Sequence, residues 1–451
     1  MAAPAPPSPS APDVPRRILL VDADAFFVAV ARLVDPDGAG KAPLLVVGGR
    51  PGGRGVVCSA SYEARQYGVR SAMPIARAER LCPHALFVPV PRGECGRKSR
   101  EIAAVLARFA PVVQAASIDE WYLDLTGTEA LYGHAPLREV AHRIRDAVRA
   151  ETGLTVSLGG GTNKLVAKLA VEFAKPKPGT SGDGTHVVAP GEEAAFMTRV
   201  ALGDIPGVGP RLRERLQSIG LPDVAAVRAA GIPTLERLLG QRAAHWLHDR
   251  VYGLGSTDVQ PREHPQSVSH EETFGRDLHD DADLEVELVR LVTRVATDLR
   301  RKSLAARTVT VRLKDADFRR RGASRTLDAP VVADRVILLV ARELLHKLRR
   351  ARRTPARLLG VALSGLADGE EEQLSLFGDW APAADAPAAV RETPRDRALA
   401  GAVDALRARF GADAIVPGRL ARGAPNAGRA AEAPPPAPAP GARRSGRSGR
   451  G

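Results

Sequence analysis

The apolar pattern of the chain begins with a near-continuous run, Ile18 to Val21, that ends on charge in VDADAFF. A short run bounded in this way predicts a strand buried on both faces. From there to about Gly184, strand-like and helix-like periods alternate, which predicts mixed α/β structure. Between about Glu192 and Tyr252, Leu, Arg and Ala recur at helical spacing, broken by IPGVG (Ile205 to Gly209) and by Gly231-Ile232-Pro233. This stretch predicts a small helical domain. A third block reads as strand (267–274), helix (284–302), strand (308–313), strand (324–327), helix (332–350) and strand (358–364). That β-α-β-β-α-β order predicts a ferredoxin-like, split βαβ domain. Residues 1–15 and about 423–451 are Ala, Pro, Gly and Arg mixtures, too poor in apolar side chains to predict a fold. No solenoid-type repeat interrupts this order.

Charge adds a partner to the picture. The 451 residues carry a formal net charge of +13, with a pI near 10.2. Residues 300–357 hold 18 Lys and Arg against 5 acidic residues, so this one stretch accounts for the excess. A polyanion is implied, either nucleic acid or an acidic membrane surface. No apolar run reaches the roughly 18 residues that span a bilayer. Arg16-Arg17 before the first apolar run could open a twin-arginine signal, but Asp22 and Asp24 interrupt the segment and argue against export. Cys58, Cys82 and Cys95 are odd in number and lack zinc-type spacing, which predicts free thiols in a reducing cytoplasm.

The candidate chemistry starts with carboxylates. VDADAFF predicts Asp22 and Asp24 on one face of a strand, and SIDEWYLDLT puts adjacent Asp119 and Glu120 on another. Acids so closely flanked by apolar residues are costly to bury unless they hold a metal or pair with a cation. Two-metal phosphoryl transfer needs this arrangement, because hard Mg²⁺ prefers oxygen ligands. Strand-end acids that cap turns have the same pattern, and spacing alone leaves both readings open. IPGVG opening a helix likewise fits a helix-hairpin-helix, whose glycines bring backbone N–H groups to a phosphate, or a plain helix-breaking turn.

Five segments decide between these readings. VDADAFFVAV, VVCSASYEARQYGVRSAMPIARAERLCP, SIDEWYLDLTG, TNKLVAKLAVEFAKPKPGT and IPGVGPRLRERL occur in the order seen in Y-family DNA polymerases, and most closely resemble the DinB type. The resemblance covers about residues 17–377. It implies a right-hand architecture, with a palm (16–25 and 91–184), fingers (26–90), a helical thumb (185–255) and a little finger (256–368). Beyond lie a clamp-binding peptide and extra helix (369–422), between the tails 1–15 and 423–451.

The resemblance also implies roles. Asp22 and Asp119 match the metal-binding aspartates, Glu120 matches the catalytic glutamate, and Ala23 would lend a backbone carbonyl to a metal. Asp24 is left as a structural residue. Phe27 matches the steric gate that excludes a ribose 2′-OH, and Phe26 backs the sugar pocket. Tyr62, Arg65 and Lys175 match the contacts to the incoming triphosphate, with Ser59 and Lys168 as further candidates. Gly207 and Gly209 of the thumb, with Lys314, Arg319, Arg320 and Arg321 of the basic block, are candidate DNA contacts. QLSLF, through Gln373, Leu374, Leu376 and Phe377, resembles a sliding-clamp peptide. Ala23, Ala25, Trp121 and AKPKPGT depart from the family pattern without removing a ligand. The implied activity is low-fidelity translesion DNA synthesis without proofreading. It would use two Mg²⁺ ions, dNTPs and primer–template DNA, in a monomeric, cytoplasmic enzyme that docks on a sliding clamp. A catalytically silent damage-tolerance adaptor is the alternative, though the chain keeps all three acids. A nucleotidyl cyclase is opposed by the basic block and by IPGVG.

Overall fold

The computed structural model describes residues 15–176, 182–261, 265–368, 391–411 and 413–421. It divides into two compact units, residues 1–264 and 265–451. The clamp-like peptide Gln373 to Phe377 and both tails lie outside the described residues.

In the first unit the strands are β1 (Ile18–Ala23), β2 (Leu45–Gly48), β3 (Val57–Ala60), β4 (Leu86–Val88), β5 (Val112–Ala115), β6 (Glu120–Asp124), β7 (Val156–Gly161) and β8 (Thr185–Val187). They form a larger sheet, β5-β6-β1-β7-β8, and a smaller one, β3-β2-β4. Every residue of β1 is buried, as the unbroken apolar run predicts: β6 and β7 pair with both edges, Leu19 and Val21 enter the core on one face, and Ile18 and Leu20 pack with Ala167 and Val171 on the other. Glycines in β7 decide how closely the helix Lys164–Ala174 approaches the sheet. A Cβ on Gly159 would sit 2.2 Å from the Ala167 carbonyl oxygen, so that contact excludes any side chain. The smaller sheet has its own core of Val46, Val57, Ile75 and Cys82. Helices Glu193–Met197, Pro210–Ser218, Val224–Leu239 and Gln241–Val251 realise the predicted helical block. The third of these is kinked at Gly231, whose φ of 67° lies outside the helical region, just ahead of Pro233.

The second unit pairs β9 (Ser267–Leu278), β10 (Leu304–Asp315), β11 (Arg320–Val331) and β12 (Ala356–Asp368) in the order β11-β10-β12-β9. All pairs are antiparallel. The β-α-β-β-α-β order is as read, and β12 is the strand that splits β9 from β10. The strands outrun the predicted segments because pairing continues past the alternating apolar residues into polar ones such as Arg320, Arg321 and Gly322. Helices Asp281–Arg301 and Asp334–Ala351 cover one face and close a core that includes Leu288, Val309, Val340 and Val361.

A further helix, Pro394–Phe410, starts on a capping box between Thr393 and Asp396. It docks on the second unit through polar contacts. Glu392 accepts from the Val332 amide at 2.8 Å, and the Arg300 guanidinium donates to Asp404 at 2.7 Å and Asp334 at 2.6 Å. The sequence predicts an amphipathic helix here with Leu399, Val403, Leu406 and Phe410 on one side, and the helix is present; Ala400 is buried, while Leu399 and Phe410 are exposed. Among the described residues, no helix is long and apolar enough to cross a membrane.

Candidate active site

β1 and β6 bring the first acids together. Asp22 lies directly opposite Glu120 in the antiparallel register, so both side chains project from one face of the sheet. Asp119 precedes β6 rather than lying within it, and its carbonyl accepts from the Ala23 amide at 2.9 Å. The Ser117 hydroxyl donates to its carboxylate. Like charges held opposite one another in a sheet are unfavourable without a cation between them.

Two lysines of the helix Lys164–Ala174 and its C-terminal edge supply that cation. Lys175 Nζ is 2.9 Å from Asp22 Oδ2 and 2.6 Å from Glu172 Oε1, and Lys168 Nζ is 2.7 Å from Glu120 Oε1. Burial pushes the Asp22 carboxyl up to about 6; Lys175 opposes the shift, while Glu120 and Asp119 add to it. Burial alone would lower the Lys175 pKa, but Asp22 and Glu172 hold it above the ordinary lysine value. The Lys175 rise, and the smaller contributions of Glu120 and Asp119 to Asp22, reflect a local surplus of negative charge. Hard carboxylate oxygens in such a surplus suit a divalent cation. Among the described residues, no three His, Cys, Asp or Glu side chains are gathered tightly enough to chelate a metal as they stand. The lysine ammonium groups take the carboxylates instead.

Asp24 does not share the strand face with Asp22, as the spacing predicts, because β1 ends at Ala23. Its carboxylate turns inward and accepts from the Ser157 hydroxyl at 2.7 Å. Burial raises its pKa, against the Ser157 and Thr155 hydrogen bonds. Phe26 and Phe27 open the helix Phe26–Val34, where an extension of the strand is the simple reading of the sequence. The reason is Ala25, which adopts φ 44° and breaks the strand. Phe26 is buried in the core beneath, and its ring meets the half-buried Phe27 edge-on at 5.6 Å.

The smaller sheet contributes Ser59, buried on β3, and the helix Tyr62–Gln66. Arg65 lies over the Tyr62 ring at 5.0 Å and donates from Nε to the Ala60 carbonyl at 3.0 Å. Burial pushes the Tyr62 hydroxyl up to about 12, and the nearby Asp24 and Asp22 charges add to the shift. The phenol is therefore a hydrogen-bond donor at neutral pH, close to the carboxylates. Trp121, one of the departures noted above, is buried in the core on the face opposite Glu120.

Outside this cluster, Gly207 has a φ of +99°, and a Cβ there would meet the Trp246 ring at 2.6 Å. Gly209 caps the helix Pro210–Ser218, and the space beside its Cα is open. In the second unit Lys314, Arg319 and Arg320 lie on the β10–β11 hairpin. The expectation that Arg321 lies exposed beside them is corrected. Its guanidinium turns inward and forks onto Asp315, at 2.9 and 2.8 Å. Sequence reasoning missed Asp315, Ser157, Ser117 and Glu172, whose roles depend on partners brought together by the fold. No local motif marks them.

Comparison with known proteins defines the class. Residues 21–172 match the model of the impB/mucB/samB family, and residues 265–376 match that family's C-terminal domain. The chain belongs to this family, the Y-family DNA polymerases, and is a DNA-directed DNA polymerase. It is 40% identical over 359 residues to DNA polymerase IV of Halorhodospira halophila, which covers 79% of this chain and 97% of the relative. It is 36% identical over 403 residues to DNA polymerase IV of Caulobacter vibrioides, with 89% and 94% covered. Among solved structures, a Y-family DNA polymerase chimera superposes with a TM-score of 0.66 at 25% identity, covering 77% of this chain and 98% of the other. The insertion ternary complex of Dbh DNA polymerase gives 0.55 at 26% identity over the same shares.

Proposed function

We propose that this polymerase performs low-fidelity translesion synthesis by two-metal nucleotidyl transfer, without proofreading. The reading rests on one observation: Asp22 and Glu120 face each other across β1 and β6, beside Asp119, and among the described residues are paired with lysines that can be exchanged. Asp22, Asp119, Glu120 and the Ala23 carbonyl would hold two Mg²⁺ ions, which neutralise the phosphates and lower the pKa of the primer 3′-OH. The protein's own groups do the rest. Lys175 passes from Asp22 to an oxygen of the incoming triphosphate, Lys168 and Ser59 assist, and Arg65 grips a second oxygen with its guanidinium. Tyr62 donates a hydrogen bond, since its proton is held well above neutral pH. Phe27, backed by Phe26, fills the space of a ribose 2′-OH.

The partners follow the same logic. Gly207, Gly209, Lys314, Arg319 and Arg320 are assigned to the backbone of primer–template DNA, which fixes position without reading sequence. Gln373, Leu374, Leu376 and Phe377 are assigned to a sliding clamp. The enzyme works as a monomer in the cytoplasm, where Cys58, Cys82 and Cys95 stay free thiols. Primer extension tests the mechanism. Asp119→Ala should lower the rate of nucleotide addition by about a thousandfold or more, while the protein still binds primer–template. Nucleotide addition by this variant at the parent rate would overturn the assignment.

A further inference from the structure

The tip of the β10–β11 hairpin presents an aromatic ring that the fold does not need. Phe318 is 57% exposed, and its backbone adopts φ 68°, a region bulky side chains avoid and Gly or Asn accept. An exposed phenylalanine in a strained turn contributes little to a core, so the fold itself gives the ring no role there. The turn beneath it is rigid. Asp315 is fully buried and is held by Arg321 at 2.8 Å and by Arg352 at 2.8 Å; Arg352 also reaches Asp317 at 2.7 Å. The Phe318 amide donates to the Asp315 carbonyl, and the Ala316 amide donates to the Pro355 carbonyl. The ring is thus presented on a fixed platform.

Its neighbours are cationic. Lys314 Nζ lies 4.6 Å and the Arg357 guanidinium 4.7 Å from the centre of the ring. Lys314 is also directly opposite Arg320 in the register, a like-charge pair that a sheet tolerates poorly without an anion nearby. Among the described residues, Lys314, Arg320 and Arg357 make no ion pair, in contrast to Arg321 and Arg352. Cation–π contacts at an exposed ring are weak, so either cation can leave the ring for a phosphate. A flat apolar face between free cations matches the chemistry of an unpaired base flanked by phosphates.

We propose that Phe318, with Lys314 and Arg357, forms a stacking site for one unpaired nucleobase of a DNA single strand. Lys314 and Arg357 move from the ring to the phosphates on either side, and the ring takes the base. The site is sequence-tolerant, since every base offers a π face. This rests on the reading that the second unit binds DNA, and it adds to that reading a preference for bases over bare backbone.

The test uses the full-length protein, a labelled oligothymidylate and an abasic tetrahydrofuran strand of equal length, with binding read by fluorescence anisotropy across a salt series. Phe318→Gly should bind the base-bearing strand about five- to tenfold more weakly, bind the abasic strand as the parent does and keep the parent's salt dependence. Glycine suits the positive φ, so this variant should lose no thermal stability. Phe318→Tyr should retain the preference. Lys314→Ala and Arg357→Ala should weaken both strands alike and flatten the salt dependence. If Phe318→Gly binds both strands like the parent while the lysine and arginine variants bind weakly, stacking is overturned and the ring is left as a protein contact. If all three variants bind like the parent, the hairpin does not touch DNA and both readings fall.

Discussion

The active-site sheet and the β10–β11 hairpin each set carboxylates against basic side chains, and they do so with different residues. At the site, Lys175 and Lys168 hold Asp22 and Glu120 as point charges, with side chains still 24% and 36% exposed. Beneath the hairpin, Arg321 and Arg352 hold a fully buried Asp315, and Arg321 does so with two parallel bonds. A lysine ammonium makes bonds that can be traded for a phosphate or yielded to a metal, whereas a guanidinium fork fixes geometry. The difference matches the two tasks. One region must open its charges to substrates, and the other must hold a turn still.

Removing the fixed pair should have the largest effect. Asp315→Ala leaves two arginines facing a buried void, and loss of one partner of a buried pair costs about 3–5 kcal/mol. Urea unfolding should show the transition of the second unit moving to lower denaturant, with that of the first unit unchanged. An unmoved transition would mean that Asp315 is no anchor.

At the site, the opposite sign is expected. Folded Asp22 keeps its proton up to about pH 6, against the ordinary aspartate value of 3.8. Between those values the folded state binds more protons than the unfolded chain, so its stability rises as pH falls through the window. At neutral pH the desolvated, ionised carboxylate therefore subtracts from the stability of the fold. In metal-free buffer near neutral pH, Asp22→Asn should melt a few degrees above the parent while losing nucleotide addition. Near pH 4 the two should converge, because the parent is then protonated as well. A variant that melts below the parent at neutral pH would show that the Lys175 pair outweighs burial.

The smallest effect belongs to the half-exposed lysine. Lys168→Met should change stability by less than about 1 kcal/mol, the range for solvent-accessible ion pairs, as read from thermal melts. A loss comparable to that of Asp315→Ala would erase the distinction between exchangeable and fixed pairs.

How much of this was legible in advance depends on the residue. The unbroken apolar run of β1 marks a strand buried on both faces, and the polar alternation of Thr308 to Leu313 marks one that is half-buried. Strand ends were less legible, because β9 and β11 carry few apolar residues and owe their length to backbone pairing with β12 and β10. At the site, Asp22, Asp119 and Glu120 were legible from their motifs. That Asp24 turns away was not, because its partner Ser157 lies 133 residues later. Among the basic residues of the hairpin, nothing local separates Arg320, which faces solvent, from Arg321, which does not.

Local sequence thus determined the kinds of element, the identity of the acids and the family, since each is written in patterns a few residues long. Tertiary structure alone decided which charges neutralise which. Lys168 reaches Glu120 across 48 residues, and Arg352 reaches Asp315 across 37. The reason is physical: periodicity and propensity act along the chain, whereas the partner of a charge is set by whatever group folding brings within about 4 Å of it.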